Sequence, residues 1–116
     1  MEREKLFAMP FAKVFPLLIA KAERKGRTKA EVYEVTTWLT GYAAQKLDAL
    51  LDAPVSYGDF FRNAPCMNEK RFLIKGSVCG VKLEAVSDPL MRDIRCLDKL
   101  VDELAKGKPM TKILKC

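Results

Sequence analysis

The residues best suited to bind a charged ligand are five cations in one short run: Lys21, Arg24, Lys25, Arg27 and Lys29. They span a predicted helix end, a glycine turn and the next helix start. Clustered cations beside the N–H groups of a helix start can hold the phosphate of a nucleic acid or another anion. A solvated surface with local charge pairing is the commoner role of such a run, and we prefer it here. The run is nevertheless the best candidate site in the sequence.

Four cysteines form the next set of candidates: Cys66, Cys79, Cys96 and Cys116. They include no Cys-x-x-Cys pair, so a zinc site would have to be assembled from scattered positions, and buried structural thiols are favoured over metal ligands. Cys66 follows a proline and is expected to be the most exposed. Lys70 or Arg71 could stabilise a reactive thiolate there, although an inert thiol is the preferred interpretation.

Residue types typical of catalysis are scarce. The chain has no histidine, which removes the commonest general base and the Ser-His and Cys-His pairs. Gly76 and Gly80 lack the Lys-Ser/Thr ending of a phosphate loop and are predicted to be turn glycines. Asp98, Asp102 and Glu103 fall on the predicted charged outer face of a helix, where solvated carboxylates are the rule. We therefore predict no catalytic residue, metal site or cofactor.

The strongest helix signal runs from Asp88 to Gly107. Asp88 is a predicted N-cap, Pro89 suits the first helical position, and Gly107 is the predicted end. Apolar residues recur every three or four positions, and two more widen the seam beyond that of a two-stranded coil. On the outer face, Lys99–Glu103 and Asp102–Lys106 are predicted pairs four residues apart. The apolar positions are Leu90, Ile94, Cys96, Leu97, Leu100, Val101 and Leu104.

Four shorter helices precede it. The apolar stripe within residues 10–25 contains Pro16, so this helix either kinks there or starts there, and the second version is preferred. Gly26 is its predicted end. Thr28 and Glu31 fit a capping box that opens a helix reaching Gly41. Residues 42–51 form the next helix, and Ser56 begins a short one that stops at residues 63–65.

The remaining segments carry weaker signals. Residues 68–75 fit one more helical turn, and residues 110–114 fit a short final turn. Residues 77–84 match neither the strand period nor the helix period, and they are expected to be irregular or briefly extended because a lone strand has no obvious partner.

The composition fits a small globular protein. The chain has 116 residues, 49% hydrophobic and 31% charged, with a net charge of +6. Residues 1–29 and 70–116 each carry a basic surplus, whereas residues 30–69 carry two Lys/Arg against six Asp/Glu. This division could attract an anionic partner or hold the chain's ends against its middle. We predict a single all-α domain over residues 1–116, a small orthogonal bundle of about five to six helices.

Seven blocks of sequence together resemble, over essentially the whole chain, an uncharacterised prokaryotic family, domain of unknown function 2200. The resemblance implies a small helical bundle with crossing helices and a prokaryotic source, and it brings no known activity or cofactor. Near the centre of the long helix the family has an aromatic residue where this chain has Cys96. The blocks are Phe11-Ala12-Lys13-Val14-Phe15-Pro16, the run from Lys21 to Lys29, Trp38-Leu39-Thr40-Gly41-Tyr42, Phe60-Phe61 with Ala64-Pro65, Cys79-Gly80-Val81, Asp88-Pro89-Leu90-Met91, and Ile94-Arg95 with Leu97 to Gly107.

Three functions fit these observations, in this order. The first is a non-catalytic interaction or regulatory module that binds a protein through an apolar patch. The second is a nucleic-acid or anion binder that uses the five cations. The third is an enzyme that uses Cys66 or the carboxylates, and it requires a pocket with perturbed pKa values. Without a secretory signal or a membrane-length apolar run, and with thiols expected to be free, a cytoplasmic location and no membrane association are expected.

Overall fold

The structure, a computed structural model, describes residues 3–74, 76–78 and 81–114, and within these ranges it contains seven α-helices. The all-α prediction is confirmed, with one helix more than the five to six expected. A hairpin of two short strands, β1 (Ser77–Val78) and β2 (Val81–Lys82), and two 3₁₀ turns, Glu69–Leu73 and Leu83–Ala85, separate the fifth and sixth helices. The helices are α1 (Arg3–Ala8), α2 (Phe11–Glu23), α3 (Lys29–Thr40), α4 (Ala44–Leu50), α5 (Tyr57–Arg62), α6 (Pro89–Ala105) and α7 (Met110–Ile113).

The central helix is α6, and it begins at its predicted cap. The Asp88 carboxylate accepts hydrogen bonds from the backbone N–H groups of Leu90 and Met91, at 2.9 and 3.2 Å. Helices α2, α3, α5 and α7 and strand β1 all pack against α6. The buried face that they cover is wide, as predicted, and consists of Ile94, Cys96, Leu97, Leu100, Val101 and Leu104.

Helix α2 runs from Phe11 through Pro16 to Glu23, so the preferred prediction that it starts at Pro16 is wrong. Proline removes the N–H that would bind the carbonyl of Ala12. Because Pro16 is exposed and Ala12 is partly exposed, water can reach that carbonyl. Phe11 and Phe15 of the same helix are fully buried. Their burial, about 1.5–3 kcal/mol for each ring, offsets the roughly 3 kcal/mol that an internal proline costs a helix.

The junction between α2 and α3 follows the sequence signals closely. Gly26 has a φ of +83°, and the Thr28–Glu31 capping box forms at the start of α3. Helix α3 ends at Gly41, whose φ is +82°. A Cβ at Gly41 would lie 3.0 Å from the backbone of Cys66, so glycine is required there by both conformation and space.

Helix α1 is the element that the sequence pattern did not indicate. It packs against α5, where a Cβ on Gly58 would lie 3.0 Å from the Cβ of Phe7. An isolated antiparallel bridge between Pro10 and Ser56 fixes the chain directly after α1. The helix is therefore defined by contacts with residues about fifty positions away, which local periodicity does not record.

Between residues 68 and 87, the described residues form two 3₁₀ turns and two short paired strands. The 3₁₀ turn Glu69–Leu73 starts at Asn68, whose side chain accepts a hydrogen bond from the N–H of Lys70 at 2.9 Å. In the hairpin, Ser77 lies opposite Lys82, so the extended segment finds its partner within itself. Gly76, with a φ of +104°, is a turn glycine as predicted, whereas Gly80 lies outside the described residues.

The predicted outer face of α6 needs a correction. Lys99 and Glu103 are buried, so they do not form a solvated pair on the surface. The Lys99 ammonium donates to the carbonyl of Ser77 at 3.1 Å, because the hairpin covers this side of the helix. Asp98 is also largely covered and binds Arg95 at 3.2 Å. The predicted pair of Asp102 and Lys106 is present at 3.1 Å.

Two buried tyrosines sit in the aromatic part of the core and differ in their hydrogen bonding. The Tyr42 hydroxyl donates to the carbonyl of Phe60 at 2.7 Å. The Tyr57 hydroxyl has no hydrogen-bond partner among the described residues. Burial, together with the negative charge of Asp98, holds the pKa of Tyr57 well above its usual value. The two rings both stack on Phe60, with centroids 4.8 and 6.4 Å away.

These tyrosines make a matched pair of mutations. Tyr57→Phe removes an unsatisfied buried hydroxyl and should raise the free energy of unfolding by about 1 kcal/mol. Tyr42→Phe removes a buried hydrogen bond and leaves a carbonyl unpaired, so it should lower the free energy of unfolding by about 1–2 kcal/mol. Urea denaturation of the three proteins measures both effects. An equal loss of stability in the two variants would contradict the difference in hydrogen bonding between the two hydroxyls.

Candidate functional site

The five predicted cations occupy three different environments. Lys21, Arg24 and Lys25 line a hollow of about 870 Å³ together with Asp102, Ala105 and Lys106, and we call it the basic hollow. Lys21 binds Asp102 at 3.4 Å, and Arg24 and Lys25 are exposed. The structure thus brings three of the five together and adds Lys106, which is more than eighty positions away in the chain.

Arg27 is partly buried and held by hydrogen bonds within the protein. Its guanidinium binds both carboxylate oxygens of Glu31, the shortest contact being 2.6 Å. It also donates to the carbonyls of Leu104 and Lys108, at 3.2 and 2.7 Å. Arg27 therefore ties the turn between α2 and α3 to the C-terminal end of α6.

Glu31 supplies an anion at the start of α3. Its carboxylate accepts hydrogen bonds from the backbone N–H of Thr28 at 3.0 Å as well as from Arg27. The hydrogen bond from Arg27, followed by that from the Thr28 backbone, lowers the pKa of Glu31 to about 2. The carboxylate of Glu31, a residue of the protein itself, thus occupies the start of α3, where the sequence left room for a phosphate from a ligand.

Lys29 lies apart from the basic hollow. Its ammonium is 5.4 Å from the centre of the Tyr33 ring, and both residues line a separate depression of about 580 Å³. There the Tyr33 hydroxyl donates to Asp48 at 2.5 Å. Burial, reinforced by this hydrogen bond, raises the pKa of Tyr33 to about 12.

A second basic surface, which the sequence did not single out, lies where α7 folds back on α6. Its hollow has a volume of about 860 Å³, and we call it the C-terminal hollow. Lys106 lines this hollow and also the basic hollow, so the two are neighbours. Its lining combines lysines with apolar side chains: Leu73, Glu103, Lys106, Gly107, Lys108, Pro109, Thr111, Lys112 and Leu114.

Phe72 and Leu73 are unusually exposed for large apolar residues. Their exposed fractions are 53% and 55%, and Leu17 on α2, at 63%, is the third such residue among the described side chains. Leu73 lines the C-terminal hollow. Two guanidiniums lie near the Phe72 ring, with Arg71 4.5 Å and Arg92 5.6 Å from its centre. The sequence patterns did not single out this pair, although two adjacent large apolar residues in a basic segment could have indicated it.

Two cysteines lie within the described residues, and they differ in exposure. Cys66 is exposed, as expected, and lines a hollow of about 540 Å³ that also includes Trp38 and Lys70. Cys96 is buried, and burial raises the pKa of its thiol to about 11. Such a thiol stays protonated near neutral pH and is a poor nucleophile. Cys79 and Cys116 lie outside the described residues.

Two carboxylates have raised pKa values, and both bind arginines. Burial raises the pKa of Asp93 and of Asp98. Asp93 binds Arg71 at 2.9 Å, and Asp98 binds Arg95. Structural ion pairs also perturb pKa values, and these two carboxylates fit that explanation. Within residues 3–74, 76–78 and 81–114, no group of three metal-binding side chains is placed to hold an ion.

Comparisons with known proteins show a bacterial relationship without an assigned activity. A family model described as an uncharacterised protein conserved in bacteria matches residues 5–115. The crystal structure of "uncharacterized protein SP1917" is similar, with 52% sequence identity and a TM-score of 0.93 over 97% of this chain and 93% of that one. No curated protein matches the chain. Among the helices in the described ranges, none combines the length and the apolar character needed to cross a membrane.

The two roles of neighbouring arginines can be separated by conservative substitution. Arg27→Lys should lower the free energy of unfolding by about 2 kcal/mol, because one ammonium cannot reach both Glu31 and the α6 carbonyls. Arg24→Lys, at an exposed position, should change it by less than about 0.5 kcal/mol. Chemical denaturation measures both. Equal stability of the two variants would show that the bridge from Arg27 contributes little.

Proposed function

We propose that this chain, which belongs to the bacterial family of domain of unknown function 2200, is a non-catalytic module that binds a protein partner. The observation that carries the proposal is the exposed pair Phe72 and Leu73 beside the C-terminal hollow. Apolar side chains left in solvent next to a concave surface are typical of binding sites. A partner that covers them would gain the free energy of their burial.

The scaffold around this pair supports the proposal. Arg71 binds Asp93 and also donates to the carbonyl of Asn68 at 2.9 Å. Arg92 donates to the carbonyl of Leu83 at 2.6 Å. Both arginines are therefore held in position by the protein itself, close to the Phe72 ring. A surface prepared in this way loses little side-chain entropy when a partner binds.

The same proposal treats residues 1–116 as one domain that works in the cytoplasm. A common apolar core joins residues from α2 to α7, which supports the single domain. Cys66 and Cys96 are free thiols, and a reducing compartment keeps thiols in this form. The paired carboxylates and the protonated Cys96 thiol support a role other than catalysis.

Affinity capture from the source cells tests the proposal. The tagged protein should retain a specific protein after nuclease treatment, and the double variant Phe72→Ser/Leu73→Ser should reduce its recovery about tenfold or more. Leu17→Ser is the matched control, since Leu17 is an exposed apolar residue of α2 that lines neither the C-terminal hollow nor the basic hollow. It should leave recovery within about twofold of the parent. Mass spectrometry identifies and quantifies the retained protein.

Two outcomes would oppose this function. Recovery that is lost equally with Leu17→Ser would indicate a general effect of surface hydrophobicity. If the captured material is only nucleic acid, and nuclease removes it, nucleic-acid binding would be favoured instead.

The second candidate is binding of a nucleic acid or another polyanion at the basic hollow. Lys21, Arg24, Lys25 and Lys106 surround a single carboxylate, Asp102. Burial by itself would raise the pKa of Asp102. The hydrogen bonds and charges of Lys106 and Lys21 together outweigh burial, so the pKa is lowered. Four cations around one anion leave a surplus of positive charge that phosphates can neutralise.

Salt dependence distinguishes this candidate. Binding to mixed-sequence DNA or RNA should weaken steadily as salt rises, and Arg24→Glu/Lys25→Glu should weaken it about tenfold or more at low salt. Lys13→Glu/Lys46→Glu makes the same change in net charge at exposed positions elsewhere and should have a smaller effect. Fluorescence anisotropy measures both. Equal losses in the two variants would mean that only net charge matters.

A further inference from the structure

We infer that the C-terminal hollow binds an acidic segment of the partner, one that carries an apolar side chain to cover Leu73. This inference rests on the proposed function and adds the chemistry of the partner. It follows from how charge is layered in the hollow, from its apolar wall and from the rigidity of the loop that carries the lysines.

The charges at the C-terminal hollow and at its border with the basic hollow are arranged in two layers, with Glu103 lining the first hollow and Asp102 the second. Lys106 binds Asp102 at 3.1 Å, and Lys108 binds Glu103 at 2.8 Å. The carboxylates form the inner layer, with side chains 21% and 7% exposed, whereas the lysines are 60% and 48% exposed. A partner approaching from solvent therefore meets ammonium groups first. Each ammonium has three donors, so it can bind an inner carboxylate and an outer one together.

The apolar wall makes a protein segment a better match than a nucleic-acid backbone. Leu73 is exposed and Leu114 is partly buried, and both line the hollow together with the lysines. Ile113, directly before Leu114, is fully buried and anchors α7. A phosphate backbone would neutralise the lysines but leave the leucines in water. An acidic segment with one large apolar residue satisfies both parts of the surface.

The loop after α6 is fixed before any partner arrives. The Lys108 carbonyl accepts the hydrogen bond from Arg27, and the Lys108 N–H donates to the carbonyl of Glu103 at 3.2 Å. Gly107 adopts a φ of +86° with open space around it. The lysines at positions 106 and 108 therefore start from defined backbone positions, which favours recognition of a particular spacing of acidic residues.

Carbodiimide cross-linking of the captured complex tests the inference, because this reagent joins a carboxylate directly to a lysine amine in contact with it. We expect links from Lys106, Lys108 or Lys112 to Asp or Glu of the retained protein, mapped by mass spectrometry. Changing all three lysines to Arg keeps the charge but removes the amines. That variant should capture the partner within about twofold of the parent and form no links at these positions.

Removing the charge gives the second arm. Changing the same three lysines to Gln should reduce recovery about tenfold or more. The matched control changes Lys5, Lys13 and Lys46, which are exposed lysines elsewhere, to Gln and should leave recovery within about twofold. Circular dichroism shows whether each variant is folded, and the Arg variant tests the site even if the Gln variant is not.

The outcomes separate this inference from the function on which it rests. A protein retained through Phe72 and Leu73, but without links at these lysines and indifferent to the Gln changes, overturns the acidic segment and leaves the binding function standing. Retention of no protein overturns both. Links to a second copy of this chain would also overturn it, because the occupant would then be the protein itself. A lipid surface would be the occupant if the protein forms no protein links but sediments with phosphatidylglycerol vesicles, and the three Gln changes abolish that sedimentation.

Discussion

The wide buried face of α6 is the constraint on which the rest of the structure depends. It carries six fully buried residues, from Ile94 to Leu104, and four other helices pack on it. Burial of each large side chain contributes about 1.5–3 kcal/mol, so this face is a major source of stability. Because α2 and α3 both pack against it, the turn that joins them lies beside the end of α6. Lys21, Arg24 and Lys25, at the end of α2, consequently lie beside Lys106, at the end of α6.

Gathering cations at a helix end has a favourable side and a cost, and the structure shows how they balance. Arg24 and Lys106 occupy the C-caps of α2 and α6, where positive charge complements the helix dipoles. Mutual repulsion is reduced because Asp102, Glu103 and Glu31 lie among them. Arg27 serves the fold by donating hydrogen bonds to the carbonyl of Leu104, in the last turn of α6, and to the carbonyl of Lys108, in the loop that follows. Its neighbours remain at the surface, where a ligand can reach them.

The sequence predicted those features whose cause is local. The capping box at Thr28, the cap at Asp88 and the seam of α6 each depend on residues within a few positions, and all three are present. Helix α1, the buried state of Lys99 and the continuity of α2 through Pro16 depend on contacts made by folding, so periodicity did not predict them. The candidate site divides in the same way. Lys21, Arg24 and Lys25 are neighbours in sequence, so their grouping was predictable. Lys106 and Leu73 are distant in sequence, and folding brings the first to the basic hollow and both to the C-terminal hollow.

The shared position of Lys106 means that the two hollows are electrostatically one surface. An anion bound in the basic hollow would lie next to the same ammonium that faces the C-terminal hollow. Two anionic occupants would therefore repel each other, and they would compete for Lys106. What separates the hollows is their apolar content, since Leu73 and Leu114 line only the C-terminal one. In the function that we propose, positive charge draws an anionic partner to this end of the molecule, and burial of the leucines favours a protein over the sugar-phosphate backbone of a nucleic acid.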